Sequence, residues 1–189
     1  MSKVLCLLSG GLDSTTCLYK AVADGNDVTA LHFAYDHPAV AQEFIAASEL
    51  AMLAGVPFIN IPLEGIEYLQ LNSYYLPSRN LIFLSYAYGI AFKYKFNEIW
   101  FGAYLHDRVG FPDTTPEFIA SFEAAAQKGV KKDIKIITPF VNSTKKEIVE
   151  IAKRLNVPIE KTYSCYEAEE CGVCLSCVER KKALEGFNP

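Results

Sequence analysis

Apolar positions in this chain alternate between continuous runs and helical spacing, and that alternation predicts strands and helices in turn. Residues 4–8 form an unbroken apolar run, the pattern of a strand buried on both faces. The run stops at Ser9-Gly10-Gly11, and a helix is expected to open near Asp13 or Ser14 and reach about Ala23. Residues 28–34 read as a second strand. From Ala39 onward Phe44, Ala47, Ala51 and Ala54 recur at helical spacing up to Gly55, and residues 56–61 read as a third strand. A long helix is expected over residues 79–95, apolar nearly all round; the core is its default place and a subunit interface the alternative. A strand at 98–101, a helix over 116–128 and a strand at 134–137 closed by Pro139 follow. Thr144 and Glu147 have capping-box spacing, and Ile148, Ile151, Ala152 and Leu155 continue one apolar face behind them.

Strands alternating with helices define an α/β fold: an open, mostly parallel, doubly wound sheet covered on both faces. In such sheets ligands bind at the carboxyl ends of the strands, where the first strand–glycine–helix turn lies. No repeat or long linker interrupts the chain, whose 189 residues suit one domain with a small appended module. The one shift in composition follows Tyr163. It divides an α/β domain at 1–160 from a cysteine-bearing segment at 161–189 packed on the same domain.

Half of the residues are apolar and only a fifth charged, which excludes a disordered chain. A net charge of −4 without a basic stripe argues against direct binding to nucleic acid. The first apolar run is too short for a membrane span or a signal-peptide core, so a cytoplasmic protein without membrane contact is expected. Six cysteines in that compartment point to metal or redox chemistry rather than disulfides.

Ser9-Gly10-Gly11-Leu12-Asp13-Ser14 is the first chemical motif. Adjacent glycines let several N–H groups face one hollow, and the positive end of the following helix adds to the attraction for an anion such as pyrophosphate. Ser9 and Ser14 add hydroxyl donors, and Asp13 suits the Mg²⁺ that travels with a nucleotide. The motif lacks the Gly-Lys-Ser/Thr ending of a Walker A loop and the third glycine of a dinucleotide fingerprint. A plain glycine turn remains the alternative. The second motif is Cys165, Cys171, Cys174 and Cys177 within thirteen residues. Four thiolates close a tetrahedral structural zinc shell. An iron–sulfur cluster and two disulfides are the alternatives.

The glycine motif resembles the pyrophosphate-binding loop of the adenosine nucleotide α-hydrolases, the PP-loop ATPases. Members of that superfamily split ATP between its α and β phosphates, adenylate a substrate oxygen, and let a nitrogen or sulfur nucleophile displace AMP. The chain as a whole is similar to the QueC family of 7-cyano-7-deazaguanine synthases. The matching stretches are residues 9–14, Pro77-Ser78-Arg79-Asn80, residues 102–107, Gly110-Phe111-Pro112-Asp113 and Pro116-Glu117-Phe118. Residues 144–148, 162–166 and 171–180 complete the series in the same order.

The resemblance implies conversion of 7-carboxy-7-deazaguanine to its nitrile in queuosine biosynthesis, with ammonia, ATP, Mg²⁺, one structural Zn²⁺ on the four cysteines, and a homodimer. It implies that Ser9, Gly10, Gly11, Leu12, Asp13, Ser14 and Asn80 hold ATP. Asp13, Arg79, Asp107 and Lys145 carry the chemistry, while Tyr35, Arg79, Asp107 and Asp113 meet the deazaguanine. Each has a plainer reading. Arg79 is a charge at a helix start, where the dipole disfavours a cation. Asn80 is an ordinary first-turn residue, Asp107 and Asp113 are loop acids, and Lys145 is a solvated lysine.

Three departures from the family pattern stand out. Asp36-His37-Pro38-Ala39 replaces Gly-Gln-Arg-His after the tyrosine, Thr114-Thr115 replaces Cys-Arg, and the segment between about residues 62 and 77 is short. His37 either replaces the missing histidine in part or is a turn residue. The losses touch the region expected to handle the nucleophile and the second activation. They suggest a variant that activates once and stops at an amide, with ammonia or a larger amine, such as a lysine or N-terminal amine of a partner protein, as nucleophile. Two other classes compete: a PP-loop ligase or thiolase acting on tRNA, disfavoured by the mild acidity, and a non-catalytic nucleotide-binding module, disfavoured by the retained charged residues.

Overall fold

The computed structural model describes residues 1–71 and 75–185. In chain order the elements are β1 (Lys3–Leu7), α1 (Leu12–Ala23), β2 (Asp27–Ala34), α2 (Val40–Leu53), β3 (Phe58–Pro62) and α3 (Arg79–Tyr94). They continue with β4 (Glu98–Trp100), a short α4 (Asp107–Gly110), α5 (Pro116–Val130), β5 (Lys135–Ile137), α6 (Lys145–Arg154) and α7 (Leu175–Leu184). The strands lie in the order β3-β2-β1-β4-β5, and every pairing is parallel.

Strand β1 sits in the middle, so its side chains alternate between two buried faces. Leu5 and Leu7 point to the side covered by α3 and α5, where they meet Leu84, Tyr88 and Ile119. Val4, Cys6 and Leu8 point to the other side, against Cys17 and Leu18 of α1, Ala47 and Ala51 of α2, and Ile148 of α6. This is why the first run is apolar at every position rather than at alternate ones. The strand order turns back at β1, between β2 and β4. That reversal opens the crevice in which ligands of such sheets are held.

The expected strands and helices all appear, with ends that coincide or shift by one or two residues. The capping box of α6 is present with both of its hydrogen bonds. Two helices were not anticipated. Helix α7 buries no residue fully, so it carries no apolar stripe, and α4 is a single turn. The apolar α3 is buried on one side only: Leu84, Ala87, Tyr88 and Ala91 face the core, while Leu81, Tyr86, Phe92 and Tyr94 are 42–51% exposed. Among the described residues no helix is long and apolar enough to cross a membrane.

The C-terminal segment has no core of its own. Ala183 and Leu184 pack with Leu12, Val149, Ala152, Val157 and Ile159, which belong to α1, α6 and the turn after it. Residues 186–189 of the segment predicted at 161–189 lie outside the described residues.

Two glycines with positive φ separate packing from conformation. Gly10 has φ +90°, and a Cβ there would lie 2.8 Å from Glu43 O and 2.9 Å from Ala47 N on the α2 backbone. Gly25 has φ +78° with nothing within 4 Å of that position. Gly25→Ala is therefore expected to cost about 1 kcal/mol, the conformational term alone. Gly10→Ala adds a backbone clash and is expected to cost about 3 kcal/mol or more. Urea unfolding of both variants checks this; equal losses would mean that the approach of α2 to the loop is not tight.

Candidate active site

The loops leaving the carboxyl ends of β1, β2 and β4 and the start of α6 surround one cavity of about 600 Å³, within the range of small-molecule sites. Gly10 turns the chain out of β1, and Gly11 forms the N-cap of α1 without any side-chain cap. The first amides of this helix are thus left for an anion rather than for a Ser or Asp side chain. Local hydroxyls brace the loop. Ser9 N donates to Ser14 Oγ (3.2 Å), Ser14 Oγ donates to Gly11 O (3.1 Å), and Thr15 Oγ1 donates to the same carbonyl (2.8 Å). Gly102, just beyond β4, touches this turn so closely that a Cβ would lie 3.0 Å from Ser14 Cα and N.

Charge gathers at this point. Lys145, in the first turn of α6, donates to Asp13 Oδ2 at 2.5 Å and lies 4.5 Å from the centre of the Tyr104 ring. Asp13 Oδ1 is buried and has no partner among the described residues. A buried carboxylate oxygen normally has one, so the site fits a further cationic ligand, and an oxygen donor of this kind suits Mg²⁺. Asp107 accepts from Tyr104 N at 3.1 Å. Burial, reinforced by the Asp13 charge, pushes its carboxyl up to about 7, although the Tyr104 amide, Lys145 and Arg79 pull the other way.

Across the cavity, Arg79 opens α3. Its Nη1 donates to Tyr35 Oη at 3.2 Å, and the guanidinium lies 5.7 Å from the centre of the Phe111 ring. It is thus enclosed by the cavity wall rather than a surface charge. Asn80 follows it, buried. Its backbone N and its Nδ2 donate to the two oxygens of Asp113, at 2.8 and 3.1 Å.

All the residues expected here from sequence line the cavity except Gly10 and Asp113. Gly10 stands behind the loop against α2. Asp113 is occupied with the N-terminus of α3, a capping role that its place in a sequence motif did not reveal. The Thr114-Thr115 pair also has structural work, since Thr115 caps α5 by accepting from Phe118 N. His37 faces the cavity rather than standing free in a turn. His32, Glu43, Tyr104 and Glu179 were missed. A lone histidine in a strand and a lone acid on a helix give no local signal, and Glu179 reaches the site only through the C-terminal segment.

That segment supplies the remaining wall. Tyr163 N donates to Gly10 O at 2.9 Å. Tyr104 Oη donates to Glu179 at 2.6 Å, and Arg180 donates to Thr162 Oγ1, Ser164 Oγ and Ile159 O. Beside them the sulfurs of Cys165, Cys171, Cys174 and Cys177 lie within 4.8 Å of one another, close enough to hold one metal ion. Amides of Glu167 and Cys171 donate to Cys165 Sγ, and Cys174 N donates to Cys171 Sγ, at 3.3–3.4 Å. The amides of Val173 and Cys174 pull the Cys171 thiol down to about 7, toward the thiolate form that binds metal.

The fold is shared with solved structures of two synthetases. NMN synthetase from Francisella tularensis is 19% identical with a TM-score of 0.63, covering 100% of this chain and 78% of that one. The NH3-dependent NAD synthetase from Campylobacter jejuni is also 19% identical, with a TM-score of 0.53, covering 100% and 79%. At that identity the likeness defines the class of fold: a doubly wound, parallel α/β domain with a glycine turn after its first strand.

Within that class the chain belongs to the QueC family. The family model described as queuosine biosynthesis protein QueC matches residues 3–73 and 59–188. Curated relatives named 7-cyano-7-deazaguanine synthase include one from Leptospira interrogans, 37% identical over 97% of this chain and 87% of its own length. Another, from Aliarcobacter butzleri, is 39% identical over 98% and 90%. The Leptospira alignment runs to 211 positions against 189 residues here, which leaves at least 22 positions without a counterpart. The two family matches overlap between 59 and 73, where the sequence reads as short.

The raised carboxyls set a pH dependence. Asp107 is pushed from 3.8 to about 7 and Glu43 from 4.5 to about 7, burial being the first cause in each. A folded state that binds protons more tightly than the unfolded one is favoured at low pH. That contribution is lost as pH rises from about 4 to about 7. Asp107→Asn is expected to flatten the decline by about 2 kcal/mol, read as urea midpoints from pH 4.5 to 8. Parallel pH curves for the two proteins would refute this placement of Asp107.

Proposed function

We propose that this chain activates the carboxylate of 7-carboxy-7-deazaguanine by adenylation with ATP and transfers the activated carbonyl to nitrogen, as a 7-cyano-7-deazaguanine synthase. Family membership supports the substrate. The observation that carries the chemistry is the uncapped glycine turn with the Asp13–Lys145 pair and the unpartnered Asp13 oxygen at one end of the cavity.

A carboxylate resists attack by an amine until its oxygen becomes a good leaving group. The amides of the turn and the hydroxyls of Ser9 and Ser14 hold the departing pyrophosphate. Lys145 neutralises charge on the transferring phosphate, and charge stabilisation of this kind supplies much of such catalysis. Asp13 and Asp107 would hold Mg²⁺, which would supply positive charge to the phosphates. Arg79 pairs with the substrate carboxylate through its planar fork, held by Tyr35. Asn80 Oδ1 remains as an acceptor, since Asp113 takes only its N–H groups.

Zinc is the metal proposed for the four cysteines. A tetrahedral ion with Zn–S bonds near 2.3 Å spaces its sulfurs about 3.8 Å apart, in keeping with 3.5 Å between Cys165 and Cys171 Sγ. A [4Fe–4S] cluster places each thiolate on a different iron and spreads them wider. The purified chain is expected to carry one zinc, and Cys174→Ser to lose it together with at least about 2 kcal/mol of stability. Metal analysis and thermal unfolding test this; iron in place of zinc would sink it.

A second reading, in which one activation gives an amide and the reaction stops, is favoured by the missing positions near residues 59–73, since Gln70 and Tyr75 border the cavity. Incubation with ATP, Mg²⁺, 7-carboxy-7-deazaguanine and ammonium, followed by mass spectrometry, separates the two. Nitrile with AMP establishes the full synthase, and amide with AMP establishes the shortened reaction. Lys145→Met is expected to lower AMP formation by about 100-fold or more. No substrate-dependent AMP from the unaltered chain would overturn both readings.

A further inference from the structure

Beside the glycine loop, the cavity carries a second group of titratable side chains to which adenylation gives no task. His32 on β2 donates from Nδ1 to Leu8 O at 2.8 Å, which leaves Nε2 of the neutral ring as a bare acceptor. That nitrogen is buried without a partner among the described residues, and its ring packs against Phe44 and Phe58. His37 packs at a tilt on Tyr35, ring centres 4.4 Å apart, and brings its Nε2 to 3.5 Å from Glu43 Oε2. Both side chains are largely enclosed, 10% and 24% exposed. All three residues line the same cavity as Asp13 and Lys145. They are also tied to the loop itself, because Leu8 precedes Ser9 and the Glu43 carbonyl packs on Gly10.

We infer that Glu43, His37 and His32 form the subsite of the attacking nitrogen, which draws in a protonated amine and strips it to the neutral nucleophile. The inference rests on the adenylation reading above. Ammonium has no lone pair, and near neutral pH nearly all ammonia is ammonium, so a site that uses it needs a base. In the step inferred, ammonium hands one proton to the Glu43–His37 pair. The freed lone pair forms a C–N bond at the activated carboxyl carbon. The bond from that carbon to the AMP oxygen breaks, and its electron pair leaves with AMP. The second proton lost by nitrogen passes to an imidazole and on to solvent, giving the amide.

The surroundings favour this use. Burial, then the Arg79 charge and His32, push His37 down to about 4, against Asp36. Burial pushes Glu43 up to about 7, while Arg79 pulls it down, and burial also lowers His32. The pair therefore holds one proton in mild acid and none above neutrality. Arg79, bonded to Tyr35, lies near enough for its charge to act on both members of the pair, and the guanidinium disfavours a lasting second cation, so the neutral amine is preferred once the proton has moved.

His37→Gln and Glu43→Gln in the full chain test the proposal through two partial reactions. ATP–pyrophosphate exchange with 7-carboxy-7-deazaguanine reports adenylation, and AMP formation with ammonium or hydroxylamine reports capture. Each variant is expected to keep exchange within about twofold and to lose about 100-fold in kcat/KM for ammonium at pH 7. The loss should shrink at pH 9, where free ammonia is abundant. Hydroxylamine, neutral at pH 7, should react at the unaltered rate. Ammonium turnover equal to the unaltered chain would overturn the inference, as would exchange and hydroxylamine capture falling in parallel with it. Absence of exchange in the unaltered chain would instead remove the adenylation reading, and this subsite with it.

Discussion

Backbone packed directly on backbone at the end of β1 is the constraint on which the rest of this structure depends. Gly10 lets α2 approach the turn without a side chain between them, and Gly102 does the same for the exit of β4 against the start of α1. With those two contacts made, the amides of α1 face the crevice where the strand order reverses. Side chains in either place would push the helices outward and fill the space an anion needs. The apolar faces of β1 keep the turn rigid by burying five successive side chains in two cores.

Around that turn, charge is placed where solvent is scarce, and the cost of doing so is visible in the carboxyls. Asp13 has Lys145 as partner on one oxygen and, among the described residues, none on the other. Asp107 and Glu43 hold their protons unusually well because burial disfavours their ions. Stability and function pull against each other here, since apolar replacements would make a steadier fold and an inert cavity.

Much of this was legible in the sequence, for reasons that can be stated residue by residue. The run at residues 4–8 announced a central strand because both its faces are buried, and Thr144 with Glu147 announced α6 because a capping box is a local device. Asp13, Arg79, Asp107 and Lys145 were singled out by motifs, and all border one cavity. What stayed hidden was non-local. Glu43 and His32 reach the cavity only because β2 lies beside β1. Asp113 stands in a stretch that matches the family and serves as a cap on α3. The outer half of α3 read as core because apolar content alone does not say which side has a neighbour.

The C-terminal segment has a consequence for how the gene can vary. Its helix packs on residues of α1 and α6 and has no core of its own, while Glu179 and Arg180 tie it to Tyr104 and to the turn beside the glycine loop. It is therefore not a detachable module, however cleanly its cysteines mark it off in the sequence. A frameshift or stop codon after residue 160 would strip one wall from the cavity. A change in the last helix is thus felt at the glycine loop as directly as a change in the loop itself.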